Sequence, residues 1–237
     1  MSWSRFRVVA KLTTPTRFKL AFVGLATTDS WLSGLPGRRA HLARFVTKPL
    51  LMPTLAASLA TSPQAAGSPL RTTTLAAQAG GWGGDIALLG EGKAPFLVGT
   101  GSFAVGHLAY LGGFVRRRSK TPVTTDPAAR TIVAGWALAA PVMGLMAGRT
   151  EPGLGRPVLG YTTLIAAMAV AATHLDPALS PASRRLTAAG AGLFMLSDTM
   201  LGIRKFVLAD PPAALESAVM ATYTMAQFLL SEGAARA

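Results

Sequence analysis

Polar and apolar positions along the chain fall into long blocks. Residues 94–115 carry no formal charge and one histidine, and residues 131–148 and 157–175 carry no charge. Three further blocks are interrupted by one ionisable residue each: 45–70 by Lys48, 72–90 by Asp85 and 186–203 by Asp198. The last block, 211–231, opens on two prolines and holds Glu216 near its start. The first, 20–35, holds Asp29 and is the weakest. A hydrocarbon core about 30 Å thick takes roughly 20 residues of helix. Inside lipid the backbone must satisfy its own polar groups, so such runs are helical. The blocks predict eight helices, at about 18–35, 43–61, 71–90, 95–115, 130–148, 156–174, 186–206 and 212–231. Nothing alternates with period two, which argues against a barrel. The expected fold class is all-α, a polytopic membrane helical bundle of about eight transmembrane helices. Its single domain spans 18–231, after a basic segment 1–17 and before a short tail 232–237.

Composition agrees. Half of the 237 residues are hydrophobic and 14% are charged, against about 25% charged in a soluble domain. The mean hydropathy of +0.40 excludes a disordered chain, which needs low hydrophobicity and much charge. The absence of cysteine excludes disulfides, thiolate metal sites and a cysteine nucleophile, and three histidines make a histidine-rich metal site a poor fit. The net charge of +13 does not form a nucleic-acid-binding face. Its lysines and arginines sit in short clusters between the blocks, such as Arg116, Arg117, Arg118 and Lys120, as in loops facing anionic lipid. With the N-terminus cytoplasmic, fourteen of the 23 basic residues fall on the inner side and eight on the outer. The expected placement is therefore a multi-pass protein of the inner (cell) membrane with both termini cytoplasmic. The N-terminus is not a convincing cleaved signal peptide, because the apolar stretch after its basic residues is short.

An ionisable side chain inside a span costs at least ~2.5–3.5 kcal/mol. Lys48, Asp85, His107 and Asp198 therefore need an interior or a watery cavity to face. In the expected orientation Lys48, Asp85 and Asp198 lie in the outer halves of their helices and could share one cavity. Two carboxylates there suit a division into one acid and one base. Alternatively each forms a packing ion pair, with Lys48 or Lys205. Lys48 opens Lys48-Pro49-Leu50-Leu51-Met52-Pro53, where two prolines four apart weaken the helix ladder. It either binds phosphate in the cavity or snorkels to the interface. Arg204 and Lys205 read as interfacial anchors, although Lys205 could line the cavity mouth. Tyr161, Tyr223 and Gln227 are polar groups in apolar runs, and Tyr223 and Gln227 share a helix face. Their plainest role is interhelical hydrogen bonding. The glycines at 80, 81, 83 and 84 lack the context of a phosphate loop and suit close backbone approach in the cavity wall. Asp85 and Asp198 are 113 residues apart, as are Lys48 and Tyr161, which hints at a 4+4 internal repeat.

Five motifs in order carry a resemblance. They are Lys48-Pro49-Leu50-Leu51-Met52-Pro53, Gly84-Asp85-Ile86-Ala87-Leu88-Leu89, Gly106-His107-Leu108-Ala109-Tyr110 within 96–113, Gly192 to Asp198 leading to Lys205-Phe206, and Tyr223-Thr224-Met225-Ala226-Gln227-Phe228. Together they resemble the YhhN family, lysoplasmalogenase-like integral membrane proteins. The resemblance implies hydrolysis of the vinyl ether bond of a lysoplasmalogen to a fatty aldehyde and a glycerophospho head group. It implies no metal or organic cofactor, and an ether lysophospholipid as the partner beside the membrane lipids. It makes Asp85, Asp198 and His107 catalytic candidates, and Lys48, Lys205, Tyr161, Ser197, Tyr223 and Gln227 substrate-binding candidates. A transporter or flippase, or a lipid-binding protein without enzymatic activity, would use buried charges in the same way.

Overall fold

Helices stand where the uncharged blocks stand. The structure, a computed structural model, describes residues 12–237. Of the basic segment expected at 1–17, residues 1–11 with Arg5, Arg7 and Lys11 lie outside the described residues. Eight α-helices follow among the described residues: α1 Thr14–Ser33, α2 Arg38–Ala60, α3 Arg71–Ala87, α4 Lys93–Arg116, α5 Pro127–Thr150, α6 Gly155–Thr173, α7 Pro181–Phe206 and α8 Ala213–Ala235. Several starts are set by local chemistry. Asp126 caps α5 by accepting from Ala128 N, and Ser180 caps α7 by accepting from Ser183 N, each with proline in the first turn. At the other end of the chain, α8 runs past residue 231 to Ala235. There Glu232 is held by Lys19 of α1 and by Arg236, so hydropathy alone ended the helix too early.

Consecutive helices pair as hairpins: α1 with α2, α3 with α4, α5 with α6 and α7 with α8. Contacts of α2 with α3, α4 with α6, α6 with α7 and α8 with α1 close a ring. Helix α5 stands outside it against α6 and α7, while α8 also reaches α2 and α3. Without water to drive apolar surfaces together, membrane helices associate through close packing of small residues. The α3–α4 contact shows this directly: a Cβ added at Gly80 would lie 2.6 Å from Gly106 N. Gly84 is likewise pressed on the Phe103 ring. The glycine run thus serves helix-to-helix approach, as its composition suggested, but Gly80, Gly83 and Gly84 face α4 and Gly81 faces α8, rather than lining the cavity, which begins at Asp85.

Pro49 and Pro53 both lie inside α2. Pro53 has no N–H for the carbonyl four residues back, which is that of Pro49. Trp82 of α3 supplies the missing donor, its Nε1 donating to Pro49 O at 2.9 Å.

Four helices, α4 to α7, are long and apolar enough to cross a membrane. The other four are interrupted by ionisable residues, and those residues pair largely with one another. Arg44 of α2 meets Asp29 of α1 and Glu216 of α8, Lys48 of α2 meets Asp85 of α3, and Lys19 of α1 meets Glu232 of α8.

Candidate functional site

One cavity of about 600 Å³ opens at the end of the bundle away from the C-terminus. It is lined by the C-terminal parts of α3 and α7, the N-terminal parts of α2, α4, α6 and α8, and a face of α5. Asp85 and Asp198 both face it. Asp85 accepts a hydrogen bond from Tyr223 Oη at 2.8 Å and lies 3.8 Å from Lys48 Nζ. Both members of this ion pair are buried. Asp198 accepts from Tyr161 Oη at 2.9 Å, and His107 Nε2 stands 3.3 Å from the same hydroxyl and 4.0 Å from the carboxylate. Each carboxylate therefore has a phenol donor from another helix, but only Asp85 faces a lysine or arginine within 4 Å among the described residues.

The other expected residues divide into two groups. Lys48, Tyr161, Tyr223, Ser197 and Lys205 line the cavity together with the aspartates. Ser197 spends its hydroxyl on Val219 O of α8 at 2.9 Å, which ties α7 to α8. His107 and Gln227 stand one layer back. His107 packs edge-on against Phe194, with ring centroids 4.6 Å apart, and reaches the cavity only through Tyr161. Gln227 accepts from Tyr110 Oη at 2.8 Å, and its amide lies beside Gly81 next to the Tyr223 hydroxyl. Lys48 does not snorkel: its ammonium turns inward to Asp85. The last-turn cations of α7 are not free anchors either. Arg204 donates to Glu216 at 2.6 Å, and Lys205 Nζ sits 4.5 Å above the centre of the Phe96 ring.

Residues 43–234 match the sequence profile of the YhhN family. The chain belongs to that family. No curated protein and no solved structure matches it. The match to the YhhN profile starts inside α2, so α1 lies outside it, yet α1 supplies a structural part of the site. Asp29 is fully buried, accepts from Thr47 Oγ1 at 2.7 Å and faces Arg44 Nε at 3.3 Å. Arg44 in turn donates to Glu216 at 2.8 Å, so one glutamate bridges Arg44 and Arg204 at the cavity mouth. The sequence reading did not assemble this network of Asp29, Arg44, Thr47, Glu216 and Arg204. One signal was available: Arg44 lies four residues before Lys48 and so shares its helix face. The pairing with α1 and α8 is long-range and left no local mark.

Proposed function

We propose that this YhhN protein is a membrane-embedded hydrolase that cleaves the vinyl ether bond of a lysoplasmalogen, releasing a fatty aldehyde and a glycerophospho head group. The observation that carries this reading is a pair of carboxylates, Asp85 buried and Asp198 partly buried, that face one largely apolar cavity, each hydrogen-bonded by a tyrosine, of which one has a lysine within 4 Å and the other has no lysine or arginine there among the described residues. A buried anion needs a compensating charge, whereas a neutral carboxyl does not. That difference supports a division of roles. Asp85, opposite Lys48, is the anion, and Asp198 carries the proton.

Asp198 delivers its proton to the outer carbon of the vinyl group. The C=C electron pair forms the new C–H bond, and the ether oxygen shares the resulting positive charge as an oxocarbenium ion. Asp85 stabilises that charge electrostatically. Water adds to the carbon bonded to oxygen and returns a proton to Asp198. The hemiacetal then breaks its C–O bond as Asp198 gives its proton to the leaving glycerol oxygen and the hydroxyl proton is returned to the acid, giving aldehyde and alcohol. General acid–base catalysis of this kind contributes typically ~10²–10⁴-fold. Tyr161 and Tyr223 hold the carboxylates, and His107 acts on Asp198 through Tyr161 as a positioning residue. No step needs a metal or an organic cofactor.

Two further expectations are part of the same reading. The charged helices α1, α2, α3 and α8 cross the membrane with α4–α7, because their ion pairs cancel one another in the bundle. The bundle is also a 4+4 repeat. The 113-residue offset relates Lys48 to Tyr161, Asp85 to Asp198 and Tyr110 to Tyr223. The Lys48–Asp85 contact between α2 and α3 answers the Tyr161–Asp198 contact between α6 and α7.

The test is direct. Purified protein in detergent, given 1-alkenyl lysophosphatidylethanolamine, releases fatty aldehyde detectable by mass spectrometry. Asp198→Asn and Asp85→Asn, folded by the same criteria as wild type, each lose at least ~10²-fold of that rate. Full activity in Asp198→Asn sinks the mechanism. Transfer of intact lipid between leaflets without aldehyde formation would make the protein a flippase.

A further inference from the structure

The cavity extends further than the carboxylate chemistry requires. From Asp198 it continues between α5 and α7, over α6, along walls formed by Gly135, Ala139, Ile165, Ala166, Met195 and Thr199. Helices α5 and α7 come together nearer the mouth, where a Cβ on Gly202 would lie 2.9 Å from Met143 Sδ. Trp136 Nε1 donates to Thr163 Oγ1 at 3.1 Å and fixes this face of α5 on α6. The opposite end of the cavity is cationic. Arg44 and Arg204 are balanced by Asp29 and Glu216, while Lys205 has no carboxylate within 4 Å among the described residues. Arg204 Nε is also buried without a hydrogen-bond partner. An apolar groove, two carboxylates and one uncompensated cation therefore follow one another in a single space. That order matches an amphiphile with one negative charge on its head group.

The cavity's 600 Å³ lies within the roughly 300–1,000 Å³ of pockets that hold one ligand-sized molecule, which suits a lipid with a single chain. Resting on the lysolipid reading of the cavity, we infer that the groove between α5 and α7 takes the single hydrocarbon chain of a lysophospholipid, that its phosphodiester lies at Arg204 and Lys205, and that Gly135 and Ala139 set the longest chain accepted. A Cβ added at Gly135 meets nothing within 4 Å, so side chains there fill groove space without displacing the helix.

The experiment measures binding of non-cleavable 1-alkyl lysophosphatidylethanolamines with 12-, 14-, 16- and 18-carbon chains by native mass spectrometry. Wild type, Gly135→Leu, Gly135→Phe and Ala139→Phe are compared. Leu138→Phe, on the outward face of α5 and 78% exposed, is the control. The groove variants shift the ratio of 18- to 12-carbon binding by at least about tenfold toward the short chain, which is what displacing two buried methylenes removes. The control leaves the ratio unchanged. Lys205→Gln weakens every chain length equally. An unchanged chain-length ratio in Gly135→Phe and Ala139→Phe overturns the placement, as does failure of wild type to bind any of the four lipids. Binding that follows the expected ratio in a protein that releases no aldehyde from alkenyl substrates keeps the groove and removes the hydrolase.

Discussion

Removal of Lys48 would leave Asp85, 1% exposed, with Tyr223 as its only hydrogen-bond donor among the described residues. Breaking a buried pair by deleting one partner costs about 3–5 kcal/mol, whereas replacing both partners can be nearly neutral. Lys48→Met should therefore lower the thermal midpoint of the detergent-solubilised protein clearly. Lys48→Met combined with Asp85→Asn should recover most of that loss, and neither protein should release aldehyde. A double variant as unstable as the sum of its parts would mean that the two residues do not act as a pair. A similar cycle tests the other carboxylate. His107 Nε2 is 3.3 Å from Tyr161 Oη but 4.0 Å from Asp198, so the imidazole works through the phenol. Tyr161→Phe and His107→Phe should each slow aldehyde release, and the double variant should be no slower than Tyr161→Phe alone. Additive losses would instead place His107 in direct contact with the reaction.

Glycine has opposite meanings on different helices. On α3, Gly80 is closed against Gly106 of α4, with no room for a Cβ. On α5, Gly135 faces open space. Gly80→Leu must force α3 and α4 apart, an overpacking cost of at least ~1–3 kcal/mol, and the unfolding midpoint of that variant should fall well below those of wild type and Gly135→Leu. Equal midpoints for the two leucine variants would contradict the α3–α4 packing. This contrast also shows what a sequence can and cannot tell. Helix positions were legible because a membrane span imposes length and low charge on every residue of the run. Lys48, Asp85 and Asp198 were legible because a lone charge in an apolar run is conspicuous. Their partners were not. Tyr223 reaches Asp85 across 138 positions and Glu216 reaches Arg44 across 172. The glycine run at 80–84 disclosed close approach but not its direction, because only the contacts with α4 and α8 decide which face of α3 is turned to the cavity. Asp29 sits in the weakest of the predicted spans, and its burial depends on an arginine from the next helix.

At the scale of the whole molecule, the cavity fixes where the substrate must arrive. The turns between α1 and α2, α3 and α4, α5 and α6, and α7 and α8 lie at the same end of the bundle as the cavity, which the α3–α4 turn lines, while the C-terminus and the 116–126 loop lie at the opposite end. The clusters Arg116 to Lys120 and Arg184–Arg185 belong to that opposite end. Several basic residues at the mouth are engaged inside the protein: Arg44 and Arg204 with Glu216, and Lys93 with Glu151. Lysines and arginines are also fewer at the mouth end than at the opposite end, which is the count on which the expected orientation rests. We propose the orientation in which the cavity opens to the outer side and both termini face the cytoplasm. The chain contains no cysteine, so a single engineered one reports its own location. Asp210→Cys, in the exposed turn between α7 and α8, should react with a membrane-impermeant maleimide in intact cells. Lys120→Cys, exposed at the opposite end, should react only after the membrane is permeabilised. The reverse pattern would open the cavity to the cytoplasm and require the lysolipid to come from the inner leaflet. Labelling of both positions in intact cells would break the odd number of crossings, α5, α6 and α7, that joins these two turns, and with it the eight-span arrangement.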